Sequence, residues 1–418
     1  MHHYRCRLWV WMTLVTCLGV ALISDPLFAQ TGSETQQNEV TAKMNQVTAK
    51  VDERIELTSI VARLAGYEEY SSNENKLYVA DVNRYFARFK HHPVVEFAKQ
   101  VREKNKIGYD AVPSLAVHLN PPPLLTPRVE FSTAVLDPRW GKADAEKFAD
   151  LLKQFYQDAE CAKFFRAHRA MYRTVEQRFQ ATLNKVNFAW YKQFYGEQPD
   201  GTLNLFIGLL NGGGNYGVRV ILPDGREDLY AVMMTYRTDK EGLPIYGDED
   251  LPYIIHEYNH SFVNRLIEKN AAQFEKGGTA LQHEMADQMR RQAYTGFKTL
   301  VIESVVRACV VRYLRRNPTG SMTAQTQLGE EEGRGFLWTG ELVGLLDEYE
   351  KNRSKYPTLE SFIPRIVHFF DTVPAQLGHL KKSLALKQPK VVRLLPFPIG
   401  PLMWMKPLRK SAFTSIKR

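Results

Sequence analysis

Asp248-Glu249-Asp250-Leu251-Pro252-Tyr253-Ile254-Ile255-His256-Glu257-Tyr258-Asn259-His260-Ser261-Phe262-Val263 is the stretch from which the rest of the chain can be read. Three acids followed by Pro252 suit a helix N-terminus, where negative charge meets the positive end of the macrodipole and proline costs no hydrogen bond. The helix is expected over about 252–269, with Asn270 as its stop. On it His256 and His260 stand four apart, so both imidazoles leave one face a turn apart. That spacing lets two neutral nitrogens bind one Zn²⁺ at about 2.0–2.1 Å. Glu257 is rotated by about 100°, beside such an ion rather than on it, where a carboxylate can take a proton from attacking water and return it to a leaving amine. Ile254, Ile255, Phe262 and Val263 make the helix a buried one. The bland alternative is a structural helix with two satisfied histidines.

A third ligand is needed. One route places Gly three and His six residues after the second His; here those positions are Val263 and Leu266, which excludes it. The other takes an acid from a downstream helix. Glu268, Glu275, Glu284 and Glu303, with His283, are the candidates. Glu303 lies in Thr299–Leu314, the most apolar helix after the N-terminal segment, expected over about 298–316. A carboxylate on that face needs a metal or a cation, and Arg307 at i+4 is one. Glu284 sits on a more polar helix.

Upstream, Thr202–Leu210, Val218–Leu222 and Leu229–Thr235 read as strands separated by Asn211-Gly212-Gly213-Gly214-Asn215-Tyr216-Gly217 and Pro223-Asp224-Gly225. They predict an antiparallel meander over about 202–235. The glycine run lacks the Gly-Lys-Ser/Thr of a phosphate loop and reads as a hairpin turn. Helical spacing is found over Val79–Phe89, Val94–Val101 and, as two helices, Asp144–Phe179, and helix resumes from Pro252 to about Phe370. The class is α+β, mostly helical with one small sheet just before the His-Glu-x-x-His helix.

The chain ends differ in character. Arg5 and Arg7 precede an apolar run from Leu8 to Ile23, followed by Asp25-Pro26 and Leu27-Phe28-Ala29. This is the three-part order of a secretory signal peptide, 1–29, too short for the ~20 residues of a spanning helix. Secreted or periplasmic localisation is expected, with no transmembrane segment after cleavage. Residues 30–50 read as a polar linker, 51–388 as the domain and 389–418 as a basic tail. The 418 residues carry a formal charge of +9. Residues 381–418 hold ten Lys or Arg and no Asp or Glu, which leaves the body over 30–380 slightly acidic. A nucleic-acid partner is thereby disfavoured, and the tail offers weak contact with anionic surfaces. Cys161 and Cys309 either pair after export or stay as buried thiols. Asn259-His260-Ser261 is a glycosylation sequon, but a glycan there would collide with the proposed metal.

Five stretches in order resemble a bacterial secreted family catalogued only as a domain of unknown function, within the gluzincin-type zinc peptidase superfamily. They are Glu56–Tyr67, Leu136-Asp137-Pro138-Arg139-Trp140, Asn211–Gly217, His256-Glu257-Tyr258-Asn259-His260 and the Glu303 helix. The resemblance covers about residues 50–385. It implies a zincin-like fold, one Zn²⁺ on His256, His260 and Glu303, and Glu257 as base. It implies that Thr202–Leu210 or a neighbouring strand pairs with an extended peptide or protein substrate. It also calls for a transition-state stabiliser, for which Tyr216, Tyr313 and Arg307 are available. Pro389–Gly400 looks like the opening of an immunoglobulin-like β domain, and the sequence after it loses strand alternation, as a truncated appended domain would. The expected function is a secreted zinc metallopeptidase. The alternatives are an inactive binding scaffold on the same fold and, less favoured, a zinc amidase acting on cell-wall peptides.

Overall fold

The computed structural model describes residues 47–387, except 133–134, 198–201, 212–213, 293 and 321. The signal-peptide reading, nearly all of the linker and the tail therefore lie outside the described residues. In chain order the elements are β1 (Ala49–Lys50), α1 (Glu53–Leu64), α2 (Lys76–Phe86), α3 (Pro93–Asn105), α4 (Ala111–Val117), α5 (Lys142–Asp158), α6 (Cys161–Leu183), α7 (Ala189–Tyr195), β2 (Leu203–Gly208), β3 (Tyr216–Ile221), β4 (Glu227–Met234), α8 (Leu251–Lys269), α9 (Ala271–Glu284), α10 (Ala286–Arg290), α11 (Phe297–Arg316), α12 (Ala324–Gly333), α13 (Thr339–Lys351) and α14 (Ile363–Lys387). The α+β class and the helical majority stand. Among the described residues no helix is long and apolar enough to cross a membrane.

The sheet departs from the expected meander. Its order is β1-β2-β4-β3, with β2 parallel to both β1 and β4 and only β3–β4 antiparallel. β2 and β3 do not pair, so the glycine run is a crossing loop rather than a hairpin. Asn211 and Asn215 hold its ends: Asn211 Nδ2 donates to Gly214 O at 2.9 Å, and Asn215 Oδ1 accepts from Met234 N at 2.9 Å. The physical reason is burial. Leu229-Tyr230-Ala231-Val232-Met233-Met234 is apolar without alternation and buried throughout, which suits a central strand. β3 has an exposed Gly217 and half-buried Arg219 and Ile221, which suits an edge. β1 is a second correction, because Ala49 and Lys50, read as linker, pair with Leu205 and Phe206.

The far edge of β1 is covered, since Gln180 accepts from Ala49 N and Glu176 from Val51 N. The exposed edge of the sheet is β3. Leu222 N donates to Arg226 O at 2.8 Å across the closing turn. Bonded and unbonded pairs alternate in an antiparallel ladder. Counting back, Gly217, Arg219 and Ile221 turn their backbone groups away from β4.

The two sheet faces have different neighbours. Phe206, Tyr216, Val220, Tyr230 and Val232 pack with Ile55, Ala116 and Val117. Leu205, Ile207, Ala231 and Met233 join the main core with α8. α11 is buried on nearly all sides from Leu300 to Leu314 and packs against α8, α9, α12 and α13, as an all-round apolar helix must. Cys161 and Cys309 are free and buried.

Candidate metal centre

α8 begins where Asp250 Oδ2 accepts from Gly247 N at 2.7 Å and from Arg237 Nη2 at 2.7 Å. Pro252 occupies its first turn. One turn further in, His256 and His260 face α11. Their Nε2 atoms are 3.1 Å apart. Glu303 brings Oε2 to 3.6 Å from His256 Nε2 and Oε1 to 3.5 Å from His260 Nε2. Donors about 2.0–2.2 Å from one tetrahedral ion stand about 3.3–3.5 Å from each other. The three separations bracket that edge, so the triad could hold a metal ion.

The surroundings prepare each ligand. His260 Nδ1–H donates to Asn264 Oδ1 at 2.9 Å, which leaves Nε2 with its lone pair toward the centre. Burial holds His256 well below the usual imidazole range, with smaller pushes from His260 and Arg307 against the pull of Glu303, which favours the neutral form, the one able to ligate a metal. Burial pushes the Glu303 carboxyl up, but Arg307, His256 and His260 outweigh it and hold the group ionised below its ordinary value. Arg307 Nη2 lies 3.0 Å from Glu303 Oε2 and Nη1 2.5 Å from Glu331 Oε2. Glu303 is thus paired with the cation Arg307 and also stands where it could serve as a ligand.

Glu257 is 7% exposed. Burial and, next, the Glu303 charge raise its carboxyl to about 8, opposed by Arg307 and the Gly217 backbone. Gly217 belongs to β3 and approaches closely. A Cβ there would stand 3.1 Å from Glu257 Oε2 and 3.3 Å from His260 Cβ. A side chain on this position would push β3 off the helix, so glycine lets the strand edge reach the site.

Of the other expected ligands, none joins the triad. Glu268 is engaged by Arg219 at 2.9 Å. Glu275 is exposed. His283 and Glu284 are exposed together at 3.9 Å. Among the stabilisers, Tyr313 is displaced: its hydroxyl accepts from Asn187 N, and its ring lies edge-on to Trp190, away from the triad. Tyr216 does line the site cavity, and its buried hydroxyl has no hydrogen-bond partner among the described residues. Arg307 lines it too, with both sides committed to carboxylates. Asn259 is fully buried, so the sequon is closed to a glycan.

Sequence reasoning missed Asn264, Tyr294 and Glu331. Asn264 is at i+4 from His260 and could have been found by helix spacing. Tyr294 accepts from Arg307 Nη2 at 3.0 Å and reaches Glu303 with its own hydroxyl. It and Glu331 come from other elements, and nothing in their local sequence marks them.

The family described as a domain of unknown function, DUF4932, matches residues 47–369. The chain belongs to the DUF4932 family. No curated protein and no solved structure matches it. The matched span includes β1–β4 and the whole triad.

Proposed function

We propose that this DUF4932 protein is a zinc-dependent peptidase with a gluzincin-type ligand set on a zincin-like fold. The observation that carries the reading is the triangle of 3.1, 3.5 and 3.6 Å formed by His256, His260 and Glu303 beside a buried carboxylate. The donor set of two imidazoles and one carboxylate fits Zn²⁺, with a position left for water or substrate. Bound zinc supplies Lewis acidity, which polarises a scissile carbonyl and acidifies water.

The chain's own residues do the rest. Glu257, buried beside the triad, takes the proton from the attacking water and returns it to the departing amine. The outward backbone groups of β3 hold an extended peptide by strand addition across α8. That task falls to β3 rather than to Thr202–Leu210, because β2 lies inside the sheet. The unpartnered Tyr216 hydroxyl is the group available to meet developing negative charge, since Arg307 is held by Glu303 and Glu331. The signal-peptide-like order of residues 5–29 supports a periplasmic or extracellular setting for this chemistry.

Glu257→Gln tests the reading. It keeps shape and removes the base, so zinc stays stoichiometric while peptide hydrolysis falls by about 10²–10⁴-fold. Undiminished hydrolysis by the variant, or purified wild type that takes up no zinc, refutes it.

A further inference from the structure

Two cavities of about 340 Å³ each flank the triad. They share Asp110, Gly217, Glu257, His260 and Asn264, then part. One continues past Tyr253, Tyr294, Thr299 and Gln327. The other follows β3 past Val218, Arg219 and Ile221 to Leu136 and Pro138. A reacting bond placed at their junction has room for chain on both sides.

An enzyme that trims chain ends needs something else. One side must carry a charge free to bind the terminal amine or the terminal carboxylate. Here the lining charges are already matched. Arg307 spans Glu303 and Glu331. Arg334 joins Glu331 at 2.7 Å and Glu330 at 3.1 Å. On the second side Arg139 takes Asp110 at 2.6 Å and Asp137 at 2.7 Å. Arg219 takes Glu268 at 2.9 Å. A chain end that displaced any of these partners would leave the other member unpaired, which is costly wherever the pair is buried. Among the described lining residues, leaving aside the two imidazoles, only Glu257 has no ion-pair partner, and it is the proposed base.

We infer that the site, read as a peptidase, is endo-acting: it takes an extended internal segment of polypeptide along β3 and cuts it away from both termini. The inference rests on the peptidase reading and deepens it. The outward positions Gly217, Arg219 and Ile221 lie along five residues of strand, four steps or about 13 Å. Substrate therefore extends at least three or four residues from the cut on that side.

The test uses the full chain loaded with zinc and a library of peptides of about 10–20 residues, long enough to fill both cavities. One arm keeps free termini; the other is N-acetylated and C-amidated. Products are identified by mass spectrometry. Internal cleavage of both arms at initial rates within about threefold supports the inference. Release of single residues or dipeptides from the free arm, with the capped arm cut more than about tenfold slower, overturns it and leaves a peptidase standing. No cleavage in either arm overturns both. Binding gives an independent reading. Zinc-loaded E257Q is expected to bind capped and free forms of one peptide within about threefold, whereas a preference of about tenfold or more for free termini overturns the inference.

Discussion

Asn264 offers a sharp test of how the centre is built. Its Oδ1 accepts from His260 Nδ1 at 2.9 Å, and among the described residues no other hydrogen bond fixes that ring from the side away from the triad. Asn264→Ala frees the imidazole to rotate and to adopt the other tautomer, which would put a proton on the ligating nitrogen. Removing such a partner typically weakens metal affinity about 10–100-fold, or about 1.4–2.7 kcal/mol. The apo protein loses one half-exposed hydrogen bond, about 0.5–1.5 kcal/mol. Asn264→Asp should act in the opposite direction on metal, because a carboxylate acceptor strengthens the ligand. The assay is competition for zinc against a chromogenic chelator, with circular dichroism to establish that each variant is folded. Zinc binding should also raise the melting temperature, and by less in the alanine variant, as mass action requires. Folded Asn264→Ala with zinc affinity within about twofold of wild type refutes the argument that Asn264 sets the ligand geometry.

Three further outcomes follow from the same geometry. Gly217→Val puts a branched side chain where a Cβ already meets Glu257 Oε2 at 3.1 Å, so turnover should fall at least about tenfold with zinc content unchanged, measured by peptide hydrolysis and metal analysis. Gly277→Ala in α9 would set a Cβ 2.5 Å from the Phe370 backbone of α14, and overpacking of that kind should cost about 1–3 kcal/mol in urea denaturation. Glu56 is fully buried in α1, accepts from Leu209 N at 2.7 Å, and is raised by burial to about 8. Its folded form keeps a proton that the unfolded chain loses above pH 4.5, so stability falls as pH rises from 4.5 to 8, by about 1.4 kcal/mol per unit and about 4–5 kcal/mol in all. Glu56→Gln should remove that slope in denaturation measured across this range; an unchanged slope assigns it elsewhere.

The α8 and α11 helices were legible because their signals are local. Acids, Pro252 and Asn270 mark the ends of one, and the apolar run Leu300–Leu314 marks the other. The i, i+4 spacing of His256 and His260 put both rings on one face without any knowledge of the fold. The sheet order was not legible in the turn residues. A glycine run looks the same whether it closes a hairpin or crosses to the far side of a strand. The unbroken apolar character of β4 against the interrupted pattern of β3 did carry the answer, and it was the turn signal that obscured it. Tyr313 was misplaced for a related reason: it shares a helix with Glu303, but ten residues on it projects from another turn into the aromatic cluster with Trp190.

By itself the sequence determined the α+β class, the helix that bears His256, Glu257 and His260, and a short set of acids that could complete the site. Tertiary structure chose Glu303 from that set, because only the packing of α11 on α8 brings its carboxylate to 3.5–3.6 Å from both rings. Tertiary structure also made β3 the exposed edge and set Gly217 against Glu257. Helical spacing is a property of neighbours in the chain, so residue order states it. Convergence between residues more than 40 apart depends on which faces are buried against each other, and that is settled only when the whole core packs.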